Sequence, residues 1–441
     1  MYFCWLVSNF YTNKIFQLFR RATKLDIVKV FSFTAMSTLV RMLTGFVSVK
    51  VVAAIIGPAG VALVGQLNNF TTIALSISTG GINSGITKYI AEYKEDSAKV
   101  KDCLSTALRI TVGCSLLVGL FLIFFHTYLS RYVMLSPDYG YVFVIFGFSI
   151  LFYALNMGLA SVINGFKEFK RYVRINVAGS LVGLVFTLSL VFLWQLQGAL
   201  VSAVTFQSIM LFISLWMVRK LPWLRWSCFR NKLNVELSKR YFRYSLMTLT
   251  SAASMPVCQM LLRGYVISRI STMEAGWWEA MNRISSMYLM VVTTSFSVYY
   301  LPRLSELADR KELRSEIFRS YKVIVPCLLG GLVLVYLLRF FVIRLLFTPD
   351  FLPMEKLFAW QLAGDFFKIT SWLLAFLMVA KAMTRWYMAT EVGFSLLFVS
   401  LGFLFMQWNG VVGITQAYLV SYVLYLAFMA WLFRNLLFHG R

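Results

Sequence analysis

LFAWQLAGDFFKITSWLLAFLMVA, residues 357–380, is a run of 24 residues. At about 1.5 Å of rise per residue, a helix of this length crosses a hydrocarbon core about 30 Å thick. Two charged residues, Asp365 and Lys368, interrupt it. A charge near the middle of a membrane helix costs several kcal/mol, so such residues face a bundle interior or a water-filled cavity. Three positions apart, the two share a helix face and are expected to neutralise one another. The pair is either an ion pair that holds the fold or part of a transport path.

Outward from this run the same composition continues. Of 441 residues, 59% are hydrophobic, 17% aromatic and only 14% charged, with a mean hydropathy of +0.73. That apolar content exceeds what a soluble core needs and implies an all-α, polytopic membrane protein. Twelve apolar runs follow one another: 30–56, 62–87, 103–126, 141–164, 175–195, 199–218, 243–266, 277–300, 321–343, 357–380, 387–408 and 413–434. Three links between them are too short for anything but antiparallel neighbours: Gly57-Pro58-Ala59-Gly60, Gln195-Leu196-Gln197-Gly198 and Asn409 to Val412.

The formal charge of +24 writes topology. Lys and Arg crowd the links at 88–102, 165–174, 219–242, 301–320 and 381–386, and thin out in the alternate links. By the positive-inside tendency both termini are cytoplasmic, and nucleic acid is not an expected partner. Six scattered cysteines suggest neither disulfides nor zinc, and two histidines, His126 and His439, leave little room for metal or triad chemistry. No P-loop and no GxSxG occurs, so catalytic and metal residues are expected to be absent. The acidic residues Glu92, Glu95, Asp96, Glu306, Asp309, Glu312 and Glu316 read as solvated cytoplasmic turns.

An internal repeat sets the domain plan. Gly60 matches Gly276, Ser136-Pro137-Asp138-Tyr139 matches Thr348-Pro349-Asp350-Phe351, and Tyr172 with Val177 matches Tyr387 with Val392, at offsets of 212 to 216 residues. Each offset spans six helices, an even number, so the halves are expected to be related by an axis along the membrane normal. The expected division is a basic cytoplasmic extension over 1–28, with no signal peptide, followed by an N-lobe over 29–218. A cytoplasmic linker over 219–242, a C-lobe over 243–434 and a cytoplasmic tail over 435–441 complete it.

The intramembrane charges are few and mostly positive: Arg41 and Lys50 in the first run, Arg263 in the seventh, Glu279 and Arg283 in the eighth, Asp365 and Lys368 in the tenth, and Glu391 opening the eleventh. Glu279 and Arg283 are spaced to pair with each other. Lys50, Arg263 and Arg283 lie near helix ends, where snorkelling to the interface is the plain alternative. Arg41 is too deep for that. The first, seventh, eighth and tenth helices are expected to face an inter-lobe cavity, and much of the apolar set of third to sixth, ninth and twelfth to face lipid. Arg41, Lys50, Arg263, Arg283 and Lys368 against Glu279 and Asp365 give that cavity a net charge of about +3, which suits an anion such as phosphate. Gly57-Pro58, Gly80-Gly81, Pro256, Pro302, Pro326 and Gly330-Gly331 are candidate flexing points, or kinks that serve packing.

Several of these residues carry a family likeness. Ser37-Thr38-Leu39-Val40-Arg41 with Gly57-Pro58-Ala59-Gly60, Gly81-Ile82 through Ile86-Thr87-Lys88-Tyr89, Ser295-Phe296-Ser297-Val298-Tyr299-Tyr300-Leu301-Pro302, Phe358-Ala359-Trp360-Gln361-Leu362 with Gly364-Asp365 and Lys368, and Ala380-Lys381-Ala382 together resemble Wzx-type polysaccharide flippases. The likeness covers nearly the whole chain after residue 28 and is strongest to the branch handling the enterobacterial common antigen lipid (lipid III) and O-antigen units. It implies the fold of the multidrug/oligosaccharidyl-lipid/polysaccharide exporter superfamily, in the bacterial inner membrane. The implied substrate is a short glycan on undecaprenyl pyrophosphate, moved to the outer leaflet for polymerisation, with the polysaccharide polymerase and chain-length regulator as implied partners. Arg41, Lys50, Asp365 and Lys368 match charged places of the family pattern, and Arg263 lies in a similar basic cluster. The Glu279/Arg283 pair and the 28-residue lead depart from it.

The expected mechanism follows. The pyrophosphate contacts Arg41, Lys50 and Arg263, with Arg283 and Lys368 in the same cavity, while the polyprenyl tail stays in lipid. Asp365, Glu279 and Glu391 hold the cations or couple the cycle to protons or another ion, and no cofactor is called for. Two rivals stand beside this reading: a cation-coupled multidrug exporter of the same superfamily, and a non-transporting scaffold for glycan polymerases.

Overall fold

The computed structural model describes residues 26–224, 228, 231, 234–307, 309–381 and 383–437, with most side chains from Met36 onward. The basic residues Lys14, Arg20, Arg21 and Lys24 of the lead, and His439, lie outside the described residues. The long helices are α1 (Asp26–Ser78), α2 (Asn83–Tyr93), α3 (Ser97–Phe124), α4 (Gly140–Gly165), α5 (Phe169–Val218), α6 (Val235–Arg269), α7 (Thr272–Ser295), α8 (Arg310–Leu337), α9 (Glu355–Ala380), α10 (Thr384–Asn409) and α11 (Val411–Leu432). Eight helical segments among the described residues are long and apolar enough to cross a membrane. Two of these are double-length and broken. Gly57, at φ +67°, divides α1 just before Pro58, and Trp194 with Gln195 divides α5. With α6 and α7, whose polar residues lower their hydropathy, the segments match the twelve apolar runs in order.

The breaks sit where backbone chemistry puts them. Gly80 and Gly81 both take φ +64° and separate α1 from α2, and Gly410 at φ +56° forms the turn between α10 and α11; only glycine adopts these angles without steric cost. Helix starts are capped by polar side chains. Asp96 accepts from the Ala98 and Lys99 backbone N–H groups, Asn234 from Leu237, Ser271 from Met273 and Asp309 from Glu312. The hydrogen bond from the Lys99 backbone, aided by its side chain, holds the Asp96 carboxyl below the ordinary carboxylate range.

Hydropathy misplaced several boundaries. The linker expected over 219–242 ends early, because α6 starts at Val235 and its first turns pack Leu237 and Tyr241 against the α2 to α5 core. Helix α8 begins at Arg310, 11 residues or so ahead of the apolar run, and α1 already includes Asp26–Val28 of the expected lead. A helix that projects from the bilayer keeps its hydrogen bonds while its side chains turn polar, so apolar runs undercount its length. Of the tail, Arg434–Leu437 forms a helical turn, and residues 438–441 lie outside the described residues. Glu316 is not a solvated turn: it is 8% exposed and 4.0 Å from Arg303 Nε.

Three apolar cores form. One joins α6 to α11 with Val49, Ala53, Val61 and Ala62 of α1. A second joins α2 to α5 with the start of α6, and a third joins α1 to α3, α4 and α5. Helix α1 thus belongs to both halves of the chain, and its contacts with α6 and α7 bring those halves together. The repeated Pro-Asp-aromatic motifs form 3-10 turns, Pro137–Tyr139 and Pro349–Met354, that lead into α4 and α9.

Candidate functional site

Asp365 is fully buried on α9. Its carboxylate accepts a hydrogen bond from Ser285 Oγ at 2.6 Å, one from the Tyr288 hydroxyl and one from the Tyr418 hydroxyl at 2.8 Å. A carboxylate that takes three hydroxyl donors is satisfied as an acceptor. Lys368 points elsewhere, with Nζ 5.1 Å from the Trp372 ring centroid, 5.4 Å from Tyr418 and 5.3 Å from Tyr422. The ring faces stabilise the ammonium through cation–π contacts. Among the described residues Asp365 and Lys368 make no direct ion pair; the two buried charges attract one another through space, while each finds its close partners elsewhere. The short Asp side chain is taken up by α7 and α11, and the long Lys side chain reaches an aromatic cage. Both lie inside the α6 to α11 half, so the tenth apolar run does not face the space between the halves as expected.

Arg263, Glu279 and Arg283 form a second buried group. Arg263 is 0% exposed; its Nη2 donates to Glu279 Oε2 at 2.5 Å and its Nη1 to Gln66 Oε1 at 3.5 Å. Arg283 Nε donates to the other Glu279 oxygen at 3.0 Å, as the i,i+4 spacing led us to expect. Gln66 Nε2 donates in turn to the Met260 carbonyl at 3.2 Å. Gly65 clears the space for Glu279, since a Cβ there would collide with the carboxylate. Snorkelling is therefore wrong for Arg263, whose charge is met inside the protein. One carboxylate serving two guanidinium groups makes this a joint between α1, α6 and α7, and the full burial of Arg263 keeps a substrate phosphate from it in this conformation.

The open charges lie along a partly open cavity of about 1280 Å³ bounded by α1, α7, α8 and the short helix Arg339–Leu346. Met42, Phe46, Val47 and Lys50 line it from one face of α1. Val323, Cys327, Leu328 and Val335 line it from α8, together with Glu316, Arg319 and Ser320 near that helix's start. One face of the ninth apolar run is therefore a cavity wall, while Leu329, Val333 and Leu337 on its other faces are exposed, as expected of a lipid-facing helix. Its uninterrupted apolar sequence hid this, because an apolar cavity and lipid select the same residues. Lys50 is exposed in the cavity wall without an ion pair among the described residues. Arg41 is exposed but does not line this cavity; nine residues from Lys50, it points about 180° away around the helix axis.

A smaller cavity of about 390 Å³ lies within the α6 to α11 half, lined by Lys368, Glu391, Tyr387, Thr390, Ser421, Tyr422 and apolar neighbours. It brings Glu391 to the side of Asp365 and Lys368 where the ammonium sits. Among the described residues the buried Ser421 hydroxyl in its wall has no hydrogen-bond partner. Asp365 stands between the two cavities: Tyr288, one of its donors, lines the larger, and Lys368, one turn along α9, lines the smaller. Sequence reasoning missed Gln66, Tyr288, Tyr418 and Arg319. For Arg319 a signal existed, since the positions 316, 320, 323, 327 and 331 continue one helical stripe back from the apolar run.

Known proteins share this arrangement of helices. A multidrug resistance MATE family transporter of the MOP superfamily, solved inward-facing, superposes with a TM-score of 0.71 at 12% identity, covering 92% of this chain and 100% of that one. Lipid II flippase MurJ in an inward closed conformation gives 0.71 at 14% identity, covering 92% and 87%. In sequence, the Lipid III flippases of Escherichia coli (strain K12) and Shigella flexneri are each 29% identical over 412 residues, 91% of this chain and 96% of theirs. The family model described as "Polysaccharide biosynthesis protein" matches residues 27–308. By that match, running from the first turn of α1 to beyond α7, the chain belongs to the polysaccharide biosynthesis protein family.

Proposed function

We propose that the chain is a flippase that moves an undecaprenyl-pyrophosphate-linked oligosaccharide, an enterobacterial common antigen or O-antigen repeat unit, from the cytoplasmic to the periplasmic leaflet of the bacterial inner membrane. The observation that carries the reading is the large cavity bounded by α1, α7 and α8, apolar along most of its wall and holding Lys50, which has no ion pair among the described residues. Such a surface suits a lipid with an anionic head group, since phosphate oxygens make strong charge-assisted bonds with cations while the prenyl carbons need apolar contact. The similarity to Lipid III flippases along nine-tenths of the chain supports the same substrate class.

In this reading the N-lobe spans 29–218 and the C-lobe 243–434, both termini are cytoplasmic, and the lobes rock about the α1 contacts to alternate access. Lys50 contacts the pyrophosphate. Arg41 acts from outside the cavity, and Arg263 and Arg283 act through Glu279 as the joint between lobes. Lys368 and Glu391 in the smaller cavity couple the cycle to a proton or cation gradient, with Asp365 linking them to the main cavity. The polysaccharide polymerase and chain-length regulator receive the product. The multidrug alternative is less well supported: a carrier of cations needs a free carboxylate in its path, and Glu316 in the main cavity is engaged by Arg303. Restoration of surface polysaccharide in a flippase-deficient strain tests the proposal. Wild type and Lys50→Arg should restore it, and Lys50→Ala at equal expression should not. Unchanged polysaccharide with both Arg41→Ala and Lys50→Ala would remove the head-group assignment.

A further inference from the structure

Arg319 has no role in the reading above, yet it lines the same cavity as Lys50. It is exposed there and, among the described residues, has no carboxylate partner. The acid in the same cavity wall, Glu316, is 4.0 Å from Arg303. An unneutralised guanidinium facing an apolar volume is an anion site, and its fork matches two phosphate oxygens at once.

Depth separates the two cations. The Gly57 turn and the link after α8 lie at the same end of the molecule. Gly276, at the start of α7, packs on the Pro58 backbone, and its neighbour Trp277 donates from Nε1 to the Asp350 carbonyl at 2.9 Å. Measured back from that end at about 1.5 Å per residue, Lys50 lies roughly 10 Å deep along α1 and Arg319 roughly 27 Å deep along α8. One pyrophosphate does not span that difference. Between the two levels the wall is apolar, with Val47, Val291, Val323 and Cys327.

We infer that Arg319 is a separate head-group station for a prenyl pyrophosphate, at the far end of the cavity from the Gly57 turn. It takes the pyrophosphate first from the basic, cytoplasmic side, and Lys50 takes it later in the cycle, while the apolar wall between them receives the first isoprene units. This inference rests on the flippase reading and names the residue through which its substrate arrives. The tail therefore leaves the surrounding lipid over part of its length, in contrast to the expectation from sequence.

The test is binding of undecaprenyl pyrophosphate, without glycan, to the full-length protein in phosphatidylcholine nanodiscs, with undecaprenol as the uncharged comparison. Wild type should bind the pyrophosphate and prefer it to undecaprenol. Arg319→Gln should weaken binding about tenfold, about 1.4 kcal/mol, and Arg319→Lys should recover most of the loss. Both variants should keep the ligand-free unfolding midpoint of wild type. Arg319→Gln binding like wild type while Lys50→Gln weakens overturns this inference and leaves the flippase reading intact, as do Lys and Gln variants that lose equal affinity. No preference by wild type for the pyrophosphate overturns both.

Discussion

At the scale of single residues, this protein handles each buried charge by a different device. Glu279 is shared by Arg263 and Arg283, Asp365 is satisfied by hydroxyls, and Lys368 is enclosed by aromatic rings. The devices make distinct predictions. Glu279→Gln leaves Arg263 buried without a counter-charge, which costs about 3–5 kcal/mol in comparable cases; thermal unfolding of the detergent-purified protein should show a large drop in midpoint. Asp365→Ala leaves the Ser285, Tyr288 and Tyr418 hydroxyls without their acceptor, at about 1–3 kcal/mol for each one that stays dry. Its midpoint should also fall, and Lys368→Met, which keeps the volume inside the cage, should fall less. Equal losses for the two would show that Asp365 and Lys368 act as one ion pair after all.

Among the elements, α1 and α8 carry the functional argument. Helix α1 is held in both halves, and its Gly57 turn lies so close to α7 that a Cβ on Gly276 would overlap the Pro58 carbonyl. Gly276→Ala should therefore push α7 away from the turn and lower both folded yield and export. Gly330→Ala, in open space on α8, should be tolerated and should stabilise the helix slightly, by about 0.5–1 kcal/mol. Expression yield and unfolding midpoint, measured side by side, check the pair. Helix α8 also shows where pattern reading stops: its apolar run was legible, but the face it turns to a cavity was not.

For the whole molecule, the joint of Gln66, Met260, Arg263 and Glu279 ties α1 to α6 and α7, and the proposed rocking of the halves would have to turn about it or open it. Cysteines at positions 66 and 260, in a background without the native cysteines, should be linked by a short bifunctional thiol reagent. Export should stop on linking and return on cleavage of a reducible reagent. Continued export by fully linked protein would mean that α1 and α6 move together, and that access alternates elsewhere.

The sequence by itself determined the membrane class, the order of twelve apolar segments and the sites of the sharp turns. These are legible because hydropathy, glycine and proline act locally, through solvation and backbone sterics within a few residues. It also carried the Glu279/Arg283 pair, whose i,i+4 spacing lies within one helix. Only the tertiary structure decided the rest: that Arg263 is met by a carboxylate 16 residues away and a glutamine from another helix, that Asp365 and Lys368 part company, and that Arg319 shares a cavity with Lys50. Such pairings depend on how helices are rotated and placed against one another. Apolar side chains, which pack against protein, cavity or lipid at nearly the same free energy, leave that rotation unwritten in any one helix.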